Sequence, residues 1–330
     1  MSCERGPIAD SFRERIDAVE ADTLSTLAVR SYATKGRQHV EPECSVRTPF
    51  QRDRDRIVHT KAFRRLVHKT QVFIAPADDH FRTRLTHTLE TSGIARAVAR
   101  ALRLNEDLVE AIALGHDLGH TPFGHIGESA LDAILGEMFD REFRHNVHSL
   151  RVVDELEGDG PGLNLTVEVR DGILNHTGES EPATLEGKIV RLVDRVAYLN
   201  HDIDDAIRAG ILEAGDLPAP DIALLGQTGS QRIDTLVHDL VELSGREGDI
   251  VQSDAIGDAM LSLRRFMFDE VYLGPAAQEG RERATKVVRE IFMQLVADPE
   301  KLPSDRPGDL GQRVTDYVAG MTDRFALSWR

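Results

Sequence analysis

Cysteine is nearly missing: the 330 residues contain two, Cys3 and Cys44, with no CxxC spacing between them. That excludes a disulfide scaffold and a thiolate metal centre, and it makes a reducing compartment the default. Long apolar runs are missing as well. None approaches the roughly 18 residues that span a bilayer, so no membrane partner is expected. The opening MSCERGPIADSFRERIDAVEAD is charged from residue 4 and lacks the apolar core of a secretory signal. A cytoplasmic protein is the expectation. Positive charge is in deficit overall: a formal charge of −16 argues against indiscriminate binding to nucleic acid or anionic lipid. Strand signals are scarce too. TQVFIAP (70–76) could join a small hairpin, and LNLTVEVR (163–170) is ambiguous between strand and helix.

What is present is helical periodicity. In HTLETSGIARAVARALRL, from His87, residues Leu89, Ile94, Ala97, Val98, Ala101 and Leu102 recur at spacings of three to five along one expected apolar face. NEDLVEAIALGHDLG opens with Asn105 as N-cap, carries Glu106 and Asp107 in its first turn, and is expected to close at Gly119. Four later stretches, beginning at Glu186, Ser230, Ser253 and Arg281, read the same way. Loops are expected at 33–46, 156–163, 177–183, 215–221, 244–253 and 298–309, from Gly, Pro and clustered polar residues. The fold class predicted is all-α, with at most a small β-hairpin near 70–82. No repeat or linker divides the chain, so one domain over 1–330 is expected. Its site-bearing core would span about 47–215, with an accessory helical layer at about 220–330.

Charge and histidine are unevenly spread. Residues 47–69 hold Arg47, Arg52, Arg54, Arg56, Lys61, Arg64, Arg65 and Lys69 against Asp53 and Asp55, a local excess of six positive charges. This segment is either a salt-bridged helix face or an anion site. Seven of the thirteen histidines fall between residues 80 and 148. His116 and Asp117 are adjacent at the end of the apolar run LVEAIALG, where an unpaired carboxylate would be costly to bury. A shared cation is the economical compensation. Neighbouring helical residues point about 100° apart, so both reach one ion only where the helix ends; Gly119 and Pro122 mark that ending. His87, on the preceding helix, is the best third ligand, and Asp194, inside the apolar stretch VRLVDRVAYL, the best fourth. Two imidazoles and two carboxylates suit a borderline or hard divalent ion and leave a position open, as a catalytic site requires.

The ordered set His87, His116-Asp117 and Asp194 resembles the H…HD…D pattern of HD-domain phosphohydrolases. Together with HDLGHTPFGH and DRVAYLNHDIDD, the chain resembles, over roughly residues 30–295, the bacterial dNTP triphosphohydrolases, or dGTPase-like proteins. The resemblance implies an HD-type helical fold with additional C-terminal helices. It also implies hydrolysis of a deoxynucleoside triphosphate to deoxynucleoside and tripolyphosphate, water attacking the α-phosphorus. The implied cofactor is one divalent cation per site, magnesium or manganese, with iron as the alternative. His125 and Glu128 resemble the family's acid–base pair. His120 and His145 would line the phosphate channel, and Arg65, Lys69 and Arg84 would face the triphosphate. By the same resemblance Tyr198 packs on the sugar, Asp202 accepts from its 3′-hydroxyl, and Gln71 bonds near sugar or base. Positions 194, 198 and 202 share one helix face, whereas Asp204 and Asp205 read as a solvated helix end.

His148 departs from the family pattern, which has Gln there. Related proteins form homo-oligomers, and some need a second dNTP at a subunit interface, which makes a homo-oligomer and a dNTP effector the expected partners besides substrate. The alternatives are an HD hydrolase of another nucleotide phosphoester, or a nucleotide- or single-stranded-DNA-binding regulatory protein. Phe50, Phe63 and Phe73 offer single-stranded DNA only a thin stacking surface.

Overall fold

The computed structural model describes residues 7–71, 81–158, 162–303 and 307–329. Among them are fifteen α-helices and no strand. The chain begins with α1 (Pro7–Thr23) and α2 (Pro49–Val58). A capping box starts α2: the Thr48 hydroxyl accepts from the Gln51 N–H, and the Gln51 side chain accepts from the Thr48 N–H. The short α3 (Lys61–Arg65) follows, capped by Thr60. Next come α4 (Arg84–Ala101), capped by Thr83, and α5 (Glu106–Gly115), capped by Asn105 as the sequence signals. Behind them run α6 (Gly124–Phe139), α7 (His145–Arg151), α8 (Val167–Asn175) and the long α9 (Leu185–Arg208). The remaining helices are α10 (Ala219–Leu225), α11 (Gly229–Glu247), α12 (Asp254–Met267), α13 (Pro275–Ala297), α14 (Leu310–Ala319) and α15 (Asp323–Ser328).

Helices α4, α5 and α9 pack on one another, and α2 and α8 close over α5. Their core holds Ile57, Val98, Leu108, Ile112, Ile173 and Val193, all without solvent exposure. A second apolar cluster joins α6 to α13, α14 and α15, and a third joins the C-terminal half of α9 to α10, α11 and α12. The site lies where the three clusters meet. No helix among the described residues is long and apolar enough to cross a membrane.

Several expectations change at the level of elements. Residues 72–80, where the hairpin would turn and where His80 falls, lie outside the described residues; the flanks meet in an isolated Thr70–Thr83 bridge. The ambiguous 163–170 stretch leads into α8. The expected loop at 215–221 contains the start of α10, because Pro220 sits in a first turn, where its missing N–H is not needed. Ser244-Gly245 does not break α11, which runs on to a left-handed Gly248.

The buried face of α4 is only partly the one expected: Val98 is buried and Ile94 and Leu102 pack against the core. Leu89, Ala97 and Ala101 are exposed, while His87, Thr88, Thr91, Ser92, Ala95, Val98 and Ala99 are buried. Small residues let α5 and α9 approach closely, and that closeness outweighs the apolarity of the opposite stripe. Asp205 is buried rather than solvated, held by Arg82 at 2.8 Å.

Candidate metal centre and adjoining pocket

Helix α5 stops at Gly115, four residues before the expected end, and this places His116 at the cap and Asp117 in the turn beyond it. His116 still has helical backbone angles, φ −60° and ψ −38°, but the regular helix ends there and both side chains reach one point. The turn is tightly tied down. Ser149 Oγ on α7 donates to the His116 carbonyl at 2.6 Å and accepts from the Gly119 N–H at 2.9 Å. A Cβ at Gly119 would lie 2.1 Å from the Ser149 nitrogen, so only glycine fits. His148, in the position that departs from the family pattern, has its Nδ1 2.9 Å from the Gly119 carbonyl and its Nε2 3.4 Å from Asp316. It supports the turn from behind and does not line the pocket.

The four expected ligands come together. Asp194 Oδ1 on α9 lies 3.0 Å from His87 Nε2 on α4 and 3.6 Å from His116 Nε2. Asp117 Oδ1 lies 3.6 Å from the same His116 nitrogen. The His116 Nδ1–H donates to the Ala113 carbonyl at 2.6 Å, which aims Nε2 inward, where no hydrogen-bond partner meets it. Burial alone would lower the His116 pKa; the carboxylates of Asp117 and Asp194 outweigh it and drive it up to about 9. Burial alone would raise both aspartates. His116 and His87 around Asp194, and His116 and Arg84 around Asp117, hold them well below the usual carboxylate range instead. The two carboxylates thus favour the charged form of His116. Two imidazole nitrogens and a carboxylate oxygen within 4.8 Å of one another, with a second carboxylate beside them, fit a divalent cation.

The centre opens into a cavity of about 400 Å³. One end is polar, lined by Arg84, His120, His125 and His145; the other is lined by Tyr198, Asp202, Phe268, Val271 and Tyr272. Arg84 is buried and donates to Asp117 Oδ2 at 2.6 Å, while its Nε and second amino nitrogen have no partner. Glu128 joins two histidines, with His125 Nδ1 at 3.1 Å and His145 Nδ1 at 2.8 Å. Burial would raise Glu128, but these two hydrogen bonds hold it far below the usual carboxylate range. His120 stacks on His145, with ring centroids 4.2 Å apart; burial, then Arg84 and His145, keep it well below the ordinary histidine range and so neutral.

At the far end, Asp202 Oδ2 accepts from the Tyr272 hydroxyl, and its buried Oδ1 has no partner. Burial raises the Asp202 pKa to about 8, the Tyr272 bond opposing it only in part. Gln71 also lines the cavity.

Two of the expected substrate contacts do not line this cavity. Lys69 is wholly buried beneath it, donating to the carbonyls of His120 and of Ala319. Its burial, with Arg84 nearby, pushes its pKa down to about 7. Arg65 donates to the Gly320 carbonyl and lines a separate cleft of about 490 Å³, with Arg47, Arg52, Arg56, Lys61 and Arg64. Much of the basic excess at 47–69 is spent on salt bridges: Arg47 and Arg54 with Asp55, and Arg52 and Arg56 with Glu41.

His176, Arg264 and Tyr272 were not singled out from the sequence. His176 Nε2 lies 3.2 Å from His145 Nε2, and its ring is 5.0 Å from that of His116. Burial, with His116 and His145 beside it, pushes it down to about 3. A lone histidine after a helix carries little signal. Tyr272, within RFMFDEVY, would have been found only by asking which hydroxyl faces Asp202.

Residues 84–199 match the HD domain, and residues 250–330 match a phosphohydrolase-associated domain. The His87–His116–Asp117–Asp194 centre and the His125–Glu128 pair fall in the first of these, which defines the class, an HD-domain phosphohydrolase, while Phe268, Val271 and Tyr272 of the cavity fall in the second. A "Deoxyguanosinetriphosphate triphosphohydrolase-like protein" of Caldanaerobacter subterraneus subsp. tengcongensis is 52% identical over 320 residues, covering 96% of this chain and 93% of its own. Proteins of the same name from Desulfatibacillum aliphaticivorans and Clostridium perfringens are 46% and 47% identical, covering 96% of this chain and 96% and 95% of theirs. The chain belongs to the deoxyguanosinetriphosphate triphosphohydrolase-like family.

Proposed function

We propose that the protein hydrolyses deoxynucleoside triphosphates to deoxynucleoside and tripolyphosphate. The observation that carries this reading is the single cavity joining the His87–His116–Asp117–Asp194 centre to the Tyr198–Asp202–Tyr272 end. One end suits a phosphate beside a cation and the other suits a sugar. His87, His116, Asp117 and Asp194 would hold the divalent cation, with magnesium, manganese and iron all compatible with this donor set. When bound, that ion supplies Lewis acidity to the α-phosphate and lowers the pKa of water.

The remaining steps belong to the chain's own groups. Arg84, with two unpartnered nitrogens, offers donors to phosphate oxygens while its third nitrogen keeps Asp117 in place. His125 stands at the mouth of the cavity and protonates the departing 5′-oxygen. Glu128 orients the ring through Nδ1 and stabilises the cationic form from which the proton leaves. His120, neutral and stacked on His145, lines the path of the phosphates. Asp202 meets the 3′-hydroxyl with its free Oδ1, and Tyr198 covers the sugar face, leaving no room for a 2′-hydroxyl.

The test is product identification by anion-exchange chromatography after incubation with each dNTP and Mg²⁺ or Mn²⁺. Deoxynucleoside and tripolyphosphate are expected, and Asp117→Ala should abolish both. Inorganic phosphate or pyrophosphate as the main product would overturn the reading.

A further inference from the structure

The metal-binding side chains and the His125–Glu128 pair all lie between residues 84 and 199, yet the turn that aims His125 is held from the other end of the chain. Between His120 and His125 the backbone passes through two successive left-handed residues, Phe123 at φ 64° and Gly124 at φ 57°. Glycine takes that conformation freely, but a phenylalanine held there is strained and persists only where its surroundings hold it. The Phe123 ring is buried in the apolar cluster of α6, α13, α14 and α15. Its N–H donates to Asp323 Oδ1 at 2.9 Å.

Asp323 opens α15, is buried, and accepts with its other oxygen from the Thr70 N–H, also at 2.9 Å. Thr70 precedes Gln71 in the facing wall. The same C-terminal stretch fixes the start of the turn as well: Lys69 Nζ bridges the carbonyls of His120 and Ala319. The two walls touch closely, since a Cβ on Gly124 would meet the Gln71 carbonyl at 3.2 Å and Arg84 at 3.1 Å. A shift at Phe123 is therefore passed directly to His125, two residues on.

We propose that Asp323 is a positioning residue: from the C-terminal helix it locks the left-handed turn at Phe123 and so aims the His125 imidazole at the leaving oxygen. The inference rests on the triphosphohydrolase reading for the identity of that oxygen. It gives residues 310–329 a part in catalysis although none of them lines the cavity.

The experiment compares Asp323→Ala and Asp323→Asn with the wild-type chain, each alone and combined with His125→Ala. Steady-state dNTP hydrolysis, manganese binding by calorimetry and amide exchange across 119–126 are the readouts. Asp323→Ala should lower kcat about ten- to a hundredfold, the range expected when a catalytic group is displaced by about 1 Å. KM and manganese affinity should stay within about twofold, because the metal centre is untouched. Asp323→Asn keeps one acceptor and should fall between the two, which also serves if the alanine variant does not fold. In the His125→Ala background the loss should shrink to under about twofold, since the group being aimed is gone. Exchange at the Phe123 amide should rise in either single variant. An unchanged kcat, a loss that persists in full without His125, or a parallel fall in manganese affinity would overturn the proposal. If the wild-type chain hydrolyses no dNTP, the function reading fails, while amide exchange still tests the clamp.

Discussion

Arg84 and Asp117 meet at 2.6 Å, both side chains shut away from solvent, 33 residues apart on α4 and the turn after α5. Removing one partner of a buried pair leaves the other charge uncompensated, which costs about 3–5 kcal/mol. Arg84→Ala is expected to lose that much stability in urea unfolding without metal. Added Mn²⁺ should recover part of it, because the cation supplies the missing positive charge to Asp117. Unfolding curves that coincide with those of wild type would show that Arg84 does not carry this load.

Asp194 Oδ1 lies between the two imidazoles of the centre. Asp194→Asn keeps the shape and removes the charge. Manganese affinity should fall at least about tenfold and dNTP hydrolysis at least about a hundredfold. Calorimetry and a product assay on one preparation check both. Full metal loading in the variant would remove Asp194 from the ligand set.

How much of this was legible beforehand depended on local chemistry. An acidic residue beside a histidine at the end of an apolar helix has few explanations, so positions 116 and 117 stood out as a candidate site, and Asp194 stood out through its apolar flanks. Face assignment in α4 was only partly legible, because much of its buried stripe is Thr, Ser and Ala, which carry little apolar signal. Lys69 and Arg65 were expected at the phosphates from the resemblance and the local basic excess, but neither says which way a side chain points. His176 and Tyr272 acquire meaning only from neighbours 31 and 70 residues away, His145 and Asp202. Asp323 is the extreme case, bonded to Phe123 across 200 residues.

Stability should depend on pH through Asp202. Its carboxyl is raised from 3.8 to about 8 in the folded chain by burial. Between those values the folded state holds a proton that the unfolded state has released, so stability falls as pH rises through this window. Below about 4 there is no penalty, and above about 8 the penalty is complete. Asp202→Asn, which stays neutral, should escape the decline. Its stability advantage over wild type in urea unfolding should therefore grow from near zero at pH 4 to a few kcal/mol at pH 8. A constant difference across that range would place the Asp202 proton elsewhere.

Two glycine substitutions should move stability in opposite directions. Gly119→Ala drives a methyl to 2.1 Å from the Ser149 backbone, which cannot retreat without moving α7. A loss of several kcal/mol is expected, with weaker Mn²⁺ binding because the His116–Asp117 turn shifts. Gly136, exposed in α6, has nothing nearer than 3.9 Å to an added Cβ. Gly136→Ala should stabilise by about 0.5–1 kcal/mol through helix propensity alone. Thermal melts of the pair suffice, and equal shifts in the two variants would contradict the packing described for the turn.

Helix α12 does not end at Met267 but continues into a π-turn over Phe268–Tyr272 before α13 begins. A π-turn amounts to one extra residue slipped into the spiral, and it rephases everything after it by roughly 100°. That rotation is what brings the Tyr272 hydroxyl onto Asp202 and Val271 into the lining of the cavity. A chain of this architecture one residue shorter between 260 and 272 would present a different side chain at the same spot, with His87, His116, Asp117 and Asp194 unchanged. Insertions and deletions in this stretch would thus change what faces Asp202 and leave the buried centre between α4, α5 and α9 as it is.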